Sequence, residues 1–393
     1  MSVSRRSFLG GAAAALGTLG SGIDLLAQGQ GRPQAGQDAM RQRPSMDDYD
    51  AMAHLSSNEN CWGPPDSVLK AMTQGFKYAN RYGYPGGDVQ AELAKLHGVK
   101  NENLMVTAGS GEVLDVVGTA FLQNGKKVLG VEPSYSSVYQ HATTIKSSAI
   151  KLPLNQKDYR QNIAAIVKTA NDRASEIGFV YICNPNNPTG LIVTKDEIKQ
   201  LLDGIPQGMP VLIDEAYHHF VDDPKYATSI PYVIEGRPVI IARTFSKIAA
   251  LAAMRLGYAV APAELIQKMR PYAIGSVNVA VRYGGVAALK DTKSQAEIKA
   301  RVIALRRKVT AELDAHGYET IPSEANFFMV SLNGREVQPV IEEFRVKKIA
   351  VGRPFPPMTK HLRVSVGTED EMDRFLKAFK EIFPARSRTT AAG

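Results

Sequence analysis

Five polar side chains of this chain have the types and spacing needed to hold a phosphorylated aldehyde cofactor. Thr244, Ser246 and Lys247 lie within one short segment, Arg255 follows them, and Asp214 ends an apolar run upstream. The lysine amine can form a Schiff base with an aldehyde, while the hydroxyls and the guanidinium can hold a phosphate. The aspartate can pair with a protonated pyridine nitrogen. Together these residues predict a pyridoxal phosphate site.

Lys247 is the residue that we expect to carry the chemistry. An apolar run at residues 239–242 leads to it, and the segment at 248–253 that follows is Ile-Ala-Ala-Leu-Ala-Ala. A lysine in a Ser-Lys pair is usually a solvated surface charge, but here little around it could face water. Because a buried lysine resists protonation, its amine is suited to forming an imine and to moving a proton as general base and acid.

The elements that must position these residues are short apolar runs alternating with helical patterns. Several of the runs are apolar at every position, as strands covered on both faces of a sheet require. Strands that alternate with helices predict an α/β fold with a mostly parallel sheet, whose ligands bind at the carboxyl ends of the strands. The runs are residues 104–106, 128–131, 179–182, 211–213, 239–242 and 256–260.

The pattern changes after about residue 283. A long helical stretch with many charges continues to His316, and short strands then alternate with helices. The closing helix places Met372, Phe375, Leu376, Phe379 and Phe383 on one face. We therefore predict a smaller α+β domain beside the larger one. The expected boundaries are 80–283 for the larger domain, 46–79 with 284–384 for the smaller, and 385–393 for a polar tail.

The N-terminus has the features of an export signal. Arg5 and Arg6 lie in a twin-arginine pattern followed by Phe-Leu, and residues 10–26 are small, apolar and nearly uncharged. We expect residues 1–27 to be a twin-arginine signal peptide, residues 28–45 a disordered linker, and the protein to be periplasmic or secreted. The alternative is a chance arginine pair. The apolar stretch is too short and too weakly apolar for a stable membrane span.

Composition narrows the possible functions. At 393 residues, with 44% hydrophobic and 22% charged residues, the chain is typical of a soluble globular protein. Its net charge of +8 is not concentrated in basic runs with interleaved aromatic residues, so we expect no nucleic-acid partner. Cys61 and Cys183 do not suggest a disulfide framework, and no spacing predicts a metal site. His218 and His219 are expected to point in different directions, as ordinary polar residues.

Three motifs in one order resemble a known family. They are Asn-Pro-Asn-Asn-Pro-Thr-Gly at residues 184–190, Asp-Glu-Ala-Tyr at 214–217 and Ser-Lys at 246–247. Over about residues 50–384 the chain resembles the fold-type I pyridoxal-phosphate enzymes, specifically class I/II aminotransferases of the histidinol-phosphate aminotransferase group. The resemblance implies a large domain with a seven-stranded, mostly parallel sheet and a homodimer with a shared active site. It also implies a ping-pong exchange between an amino acid and a 2-oxo acid.

The resemblance assigns roles to individual residues. Asp214 would keep the pyridine nitrogen protonated, Tyr217 and Asn187 would bind the 3′-oxygen, and Tyr135 would stack on the ring. A tyrosine from the partner subunit would reach the phosphate, with Tyr84 the better match and Tyr82 the alternative. The residues expected to hold the phosphate within one subunit are Gly109, Ser110, Gly111, Thr244, Ser246 and Arg255.

Substrate recognition departs from the family pattern. Arg363 matches the arginine that grips the substrate carboxylate, and Arg353 lies near a second arginine but is displaced by one residue. Residues 58–63 resemble the family's entrance motif Asn-Glu-Asn-Pro-(aromatic)-Gly, with Cys61 in place of proline and Trp62 as the aromatic residue. Asn326 matches a segment near the substrate. These departures and the export signal favour an aromatic or imidazole-bearing amino acid over histidinol phosphate. A decarboxylase, lyase or oxidase on the same scaffold, or a protein that only binds the cofactor, remain alternatives.

Overall fold

The computed structural model describes residues 45–385. The predicted signal peptide, nearly all of the predicted linker, and residues 386–393 of the predicted tail lie outside the described residues. Among the helices of residues 45–385, none combines the length and the apolar character that a membrane crossing requires. Within the same range no group of three or more His, Cys, Asp or Glu side chains could hold a metal ion.

A seven-stranded mixed sheet is the centre of the fold. Its strands are β2 (Leu104–Thr107), β3 (Lys127–Glu132), β4 (Ala149–Pro153), β5 (Ile177–Cys183), β6 (Val211–Asp214), β7 (Val239–Thr244) and β8 (Gly257–Val260). They are ordered β2-β8-β7-β6-β5-β3-β4. Strand β8 runs antiparallel to β2 and β7, while the other neighbours are parallel. The predicted α/β fold with a mostly parallel seven-stranded sheet is confirmed.

Two features of this sheet were not predicted. Strand β4 was not predicted because its sequence lacks the continuous apolar run that marks the other strands. This agrees with its position in the structure, where none of its side chains is fully buried. The apolar run at 256–260 does form a strand, but hydrophobic periodicity carries no information on strand direction, and β8 is antiparallel.

Helices connect and cover the strands, and capping residues in the sequence mark where some of them begin. The N-terminal part contains α1 (Met46–Asp50), α2 (Asp66–Gly75) and α3 (Val89–His97). Those linking the strands of the large sheet are α4 (Ser110–Phe121), α5 (Ser137–Thr144), α6 (Ile163–Asp172), α7 (Lys195–Gly204) and α8 (Ile230–Ile234), and α9 (Ala263–Met269) follows its last strand, β8. Helix α7 begins with a capping box in which Thr194 and Glu197 bind each other's backbone N–H groups.

The C-terminal part of the chain contains the predicted alternation of helices and short strands. The long helical stretch is two helices, α10 (Val279–Lys290) and α11 (Thr292–Ala315), because Asp291 ends the first and caps the second through the backbone N–H of Ser294. The remaining elements are β9 (Thr320–Ile321), β10 (Phe327–Ser331), α12 (Val337–Val346), β11 (Ile349–Val351), β12 (His361–Ser365) and α13 (Glu369–Ile382).

Two small sheets complete this part. Strands β9, β10 and β12 form an antiparallel sheet, and β11 pairs in parallel with β1 (Ala53–Leu55). The predicted apolar face of the closing helix is buried, including Phe375 and Phe379. The pairing of β1 with β11 brings residues 56–59, which follow β1, next to the C-terminal strands. The predicted boundaries between a larger and a smaller domain stay predictions.

Candidate active site

The predicted residues converge on one cavity of about 310 Å³ at the carboxyl ends of β5, β6 and β7. This is the edge at which parallel α/β sheets bind their ligands. Twelve of the predicted residues line it: Ser110, Gly111, Tyr135, Asn187, Asp214, Tyr217, Thr244, Ser246, Lys247, Arg255, Arg353 and Arg363. We call this space the first cavity.

Lys247 presents its amine to the first cavity from the loop after β7. Its Nζ donates to the carbonyl oxygen of Ser57 at 3.2 Å and lies 5.6 Å from the ring centre of Tyr217. Burial lowers the pKa of Lys247 to about 8, and the nearby charge of Arg363 acts in the same direction. A substantial fraction of the amine is therefore unprotonated near pH 8, as attack on an aldehyde requires.

Asp214 lies at the end of β6 and is 2% exposed. Its Oδ1 accepts from the backbone N–H of Ala216 at 3.1 Å, and Tyr181 donates to its Oδ2 at 3.5 Å. Burial raises the pKa of Asp214 to about 6, since no Lys, Arg or His of residues 45–385 forms an ion pair with it. A carboxylate held in this way is suited to a cationic ring nitrogen.

Because its pKa is raised, the ionised Asp214 should lower the free energy of unfolding of the cofactor-free protein by a measurable amount. The folded state binds the proton more tightly than the unfolded chain, so stability falls as the pH rises from the ordinary value of 3.8 through about 6. We expect Asp214→Asn to stabilise the cofactor-free protein at pH 8 by about 3 kcal/mol, at about 1.4 kcal/mol per pKa unit. Urea unfolding at pH 8 measures this difference.

The same unfolding measurement near pH 4 is the internal control. There the aspartate is protonated in the folded state and about 40% protonated in the unfolded chain, so the advantage of Asp214→Asn should shrink to about a fifth. An equal advantage at both pH values would show that the stabilisation does not come from the ionised carboxylate.

A hydrogen-bonded chain joins Tyr217 to Arg363 across the floor of the first cavity. The Tyr217 hydroxyl accepts from Asn58 at 3.0 Å and from Asn187 at 3.4 Å. Asn187 in turn accepts from Arg363 at 2.7 Å, and Arg363 also donates to the carbonyl oxygen of Ser56. Because burial raises the pKa of Tyr217, its hydroxyl stays protonated and can donate to an oxygen of the bound cofactor.

One end of the first cavity is built for a phosphate. Helix α4 begins at Ser110 with no side-chain cap, so its first backbone N–H groups and positive end face the cavity. Thr244 donates to Ser246 at 2.8 Å, which holds two cavity-lining hydroxyls together. Arg255 extends its guanidinium to the carbonyl oxygen of Ala108, directly before the helix. Backbone dipole, hydroxyls and guanidinium thus meet at one place.

Gly109 does not line the cavity but sets the approach of Arg255. It has φ of +85°, and a Cβ at this position would overlap the Arg255 guanidinium. We expect Gly109→Ala to displace the guanidinium and raise the dissociation constant of pyridoxal phosphate about 10- to 100-fold, the worth of one charge-assisted hydrogen bond. Fluorescence titration of the cofactor-free protein measures this constant.

Gly98→Ala provides a matched control for that titration. Gly98 also has a positive φ, +64°, but a Cβ there would meet nothing within 4 Å. Its ψ is 32°, against 161° at Gly109, so alanine there carries the smaller penalty of left-handed backbone and should leave cofactor affinity unchanged. Equal loss of affinity in the two variants would show that backbone strain, and not the position of Arg255, is responsible.

The structure places three other predicted residues away from the first cavity. Tyr84 lies in a cluster of aromatic rings, 6.2 Å from Tyr78 and 6.5 Å from Tyr283, while Tyr82 is fully exposed. Trp62 lines a different cavity, where its ring lies 6.0 Å from the guanidinium of Arg301. Trp62 is therefore not brought to the site within this subunit, because the chain turns away after Asn60.

Asn326 is buried behind the first cavity. Its Nδ2 donates to the carbonyl oxygens of Asn58 and Glu59 at 3.0 and 3.2 Å, so it holds the segment that reaches the cavity. Its direct contact with substrate, like the substrate roles of Arg353 and Arg363, stays a prediction.

Sequence reasoning did not assign roles to four residues of the site. Asn58 and Glu59 line the cavity, Phe355 lies between the two arginines, and Tyr181 donates to Asp214. Asn58 and Glu59 stand in the entrance motif, so their position could have been inferred. Tyr181 lies in an apolar strand, where a tyrosine is usually core. Phe355 gave no signal, because nothing in the sequence shows that it packs against arginines.

These observations agree with a pyridoxal phosphate site. The buried, unpaired carboxylate of Asp214 accounts for the ring nitrogen, the uncapped start of α4 with Arg255 accounts for the phosphate, and Lys247 accounts for the aldehyde.

Comparison with known proteins gives the same result. A family model described as aminotransferase class I and II matches residues 50–379. The chain belongs to the class I and II aminotransferases. A histidinol-phosphate aminotransferase from Caldicellulosiruptor saccharolyticus is 33% identical over 343 residues, which are 84% of this chain and 91% of that protein. This aminotransferase is therefore a pyridoxal-phosphate-dependent transaminase, as its sequence motifs predicted.

Solved structures support the fold. One from Erwinia carotovora atroseptica has a TM-score of 0.80 at 28% identity, covering 85% of this chain and 96% of that chain. The histidinol-phosphate aminotransferase of Sinorhizobium meliloti, solved with pyridoxal-5'-phosphate, has a TM-score of 0.78. At 21% identity, over 92% of this chain and 99% of that chain, it shares the fold with this aminotransferase.

Proposed function

We propose that this aminotransferase moves an amino group from an aromatic or imidazole-bearing amine with an anionic group to a 2-oxo acid such as 2-oxoglutarate. The exchange follows a ping-pong cycle in which the first product leaves before the second substrate binds. The observation that carries this proposal is the first cavity, which places Lys247 and two arginines, Arg353 and Arg363, around one space.

The roles of the chain's own groups follow from their geometry. Bound pyridoxal phosphate supplies a protonated ring that withdraws electrons from the reacting carbon. Lys247 would hold the aldehyde of that group through Nζ and, with Nζ free and unprotonated, would take a proton from the substrate α-carbon. Asp214 would pair with the protonated ring nitrogen, and the Tyr217 hydroxyl would donate to the ring oxygen.

Arg363 is the group best placed to bind a substrate anion. It is 6% exposed, its Nε has no hydrogen-bond partner among the described residues, and no carboxylate of that range lies in ion-pair distance. Burial lowers the pKa of Arg363 to about 10, so it is still a cation at neutral pH. A bound carboxylate or phosphate would offset the cost of that buried charge.

Phe355 gives the site its second recognition element. Its ring centre lies 4.3 Å from the Arg353 guanidinium and 4.6 Å from that of Arg363, so one aromatic ring spaces two cations. This arrangement suits an acceptor with two carboxylates, such as 2-oxoglutarate. Tyr135, which is 40% exposed in the cavity, presents the aromatic face expected to stack on the cofactor ring.

Two candidates for the amino donor are open within this proposal. The relatives are histidinol-phosphate aminotransferases by name, whereas the altered segment around Arg353 and the export signal argue against histidinol phosphate. The entrance residue Trp62, on which the preference for an aromatic or imidazole-bearing amino acid rested, lies outside the first cavity. A screen of common amino acids and histidinol phosphate against 2-oxoglutarate decides between them. A strong and exclusive preference for histidinol phosphate would contradict the amino-acid hypothesis. Activity with histidine, tyrosine or phenylalanine and none with histidinol phosphate would support it.

We also propose a homodimer in which Tyr84 of one subunit reaches the phosphate of the other. Phe76, Tyr82 and Ile274 are large apolar side chains that are more than half exposed in the single chain. A subunit interface would bury such side chains. Light scattering should give twice the mass of 42.7 kDa, or slightly less after signal removal. Tyr84→Phe should weaken cofactor binding more than Tyr82→Phe, and the reverse order would assign the contact to Tyr82.

Export through the twin-arginine route remains part of the proposal, with a periplasmic or secreted product. The supporting observation is the Arg5-Arg6 pattern. Replacing both arginines with lysine should retain the protein in the cytoplasm with its signal uncleaved. Unchanged export of that variant would contradict the proposal.

A further inference from the structure

A second cavity, of about 450 Å³, lies behind the segment that carries Lys247. Ser246 and Lys247 face the first cavity, whereas Phe245, Ile248 and Ala249 face the second. Thr244 is the one residue of the described chain that lines both. The two spaces are therefore separated by a single layer of chain. A molecule in the second cavity would touch the residues on either side of the catalytic lysine.

Six of the fifteen residues that line the second cavity carry aromatic or imidazole rings. Within it His97 and Tyr258 are hydrogen-bonded through Nε2 and the hydroxyl at 3.0 Å, and their rings stack. The rings of His218 and His219 lie 3.7 Å apart, since a tight helical turn at His218–Phe220 brings them to the same side. The sequence interpretation that these two histidines point in different directions was wrong. The aromatic and imidazole residues of the wall are His97, His218, His219, Tyr226, Phe245 and Tyr258.

Three polar atoms of this wall are buried without a partner in the described part of the chain. They are Nε2 of His218, Nδ1 of His219 and the hydroxyl of Tyr226. Burial lowers the pKa of His219 to about 3 and that of His218 also well below its usual range, so both imidazoles are neutral at pH 7. Buried polar atoms of this kind are normally hydrogen-bonded, and these have almost no accessible surface, so a ligand reaches them when the side chains around them shift.

The charge of the second cavity is already balanced. Arg243 is the one charged residue among those that line it, and its guanidinium binds Glu215 through Nε at 3.0 Å and Nη2 at 2.6 Å. Nη2 also donates to Thr228 at 2.7 Å. This pair is buried, with side-chain exposures of 6% and 1%. An ionised ligand would therefore lose its hydration without gaining an unpaired partner.

We propose that the second cavity is a binding site for an uncharged aromatic molecule that carries a hydroxyl or a ring N–H. Its ring would pack against the aromatic wall, and its polar group would bind His218, His219 or Tyr226. The volume is within the range of ligand pockets, which are mostly apolar with a few placed polar groups. The site is distinct from the one proposed to bind the amino donor, and the proposal does not depend on which donor is used.

Phenol and indole are the ligands with which to test this site, using the full chain with bound cofactor. Titration calorimetry and saturation-transfer NMR should show saturable binding below a concentration on the order of 10 mM. Benzoate, which has a similar ring but is charged and can bind Arg363 in the first cavity, should displace bound phenol about tenfold more weakly than indole does, because its desolvation in the second cavity is not repaid. The binding of phenol should persist in Lys247→Ala, which alters only the first cavity.

Variants then locate the binding. Leu289→Trp should fill the space and weaken phenol binding about tenfold or more, whereas Tyr226→Phe removes one hydroxyl and should cost about fivefold. Thr292→Trp, at an exposed rim position, should block entry even if Leu289→Trp does not fold. The matched control is Leu69→Trp, which adds the same ring at a surface leucine on α2. No saturable binding, or equal binding in the control and in folded Leu289→Trp and Thr292→Trp, would overturn the proposal.

Discussion

Replacing Lys247 with alanine is expected to lower kcat for transamination by at least about 10⁴-fold. The reason is that a single group, its Nζ, anchors the cofactor and moves the substrate proton. The remaining contacts of the first cavity, among them those of Arg255 and Tyr217, should still hold pyridoxal phosphate reversibly. Single-turnover kinetics with saturating added cofactor separates the lost proton transfer from weakened binding.

Lys268→Ala is the matched control, since Lys268 is an exposed lysine on α9. It should retain wild-type kcat. The absorption spectrum offers a second readout: the purified wild-type protein should absorb in the visible-violet region because the cofactor is bound to Lys247, and Lys247→Ala should lose that band. A Lys247→Ala protein that kept a tenth of the wild-type kcat would show that another group moves the proton.

Replacing Arg363 with alanine is expected to raise the KM for carboxylate donors about 30- to 1,000-fold, which corresponds to a loss of about 2–4 kcal/mol. The guanidinium is buried and supplies a charge-assisted, bidentate partner that water cannot replace at the same cost. Arg363→Lys should recover little of this affinity, because an ammonium cannot form the paired contact. Steady-state kinetics with several donors measures the change.

Arg345→Ala, at an exposed arginine on α12, is the control and should leave KM unchanged. Arg363 also donates to Asn187 and Ser56, so part of the effect could arise from a displaced Tyr217. Cofactor affinity distinguishes the two: loss of a substrate anchor leaves it unchanged, whereas a displaced Tyr217 lowers it. An unaltered KM for every carboxylate donor would remove Arg363 from substrate binding.

The cofactor end of the site could be predicted because its residues follow strands that are visible in the sequence. Asp214 and Thr244 lie at the ends of apolar runs, and parallel strands bring such ends to one edge of the sheet. The phosphate end followed from the small residues before α4. For these positions, motif and topology gave the same answer, which is why they agreed with the structure.

The substrate end could not be predicted to the same depth. Phe355 packs against Arg353 in the loop before β12 and against Arg363 on β12, and no hydrophobic pattern or motif in the sequence encodes these contacts. A resemblance gives the position of Trp62 in the chain but not the direction of its side chain. The second cavity was missed for a related reason, because its walls are joined only by the tertiary structure.

The most direct test of the central claim is a half-reaction with no oxo acid added. Purified protein with bound cofactor is mixed with excess of an accepted amino donor, and the oxo acid, pyridoxamine phosphate, carbon dioxide and dissolved oxygen are then measured. An aminotransferase should release one oxo acid per active site, convert the cofactor to pyridoxamine phosphate in equal amount, and stop until 2-oxoglutarate is added. Continued turnover with release of carbon dioxide or consumption of oxygen, and no pyridoxamine phosphate, would contradict the account.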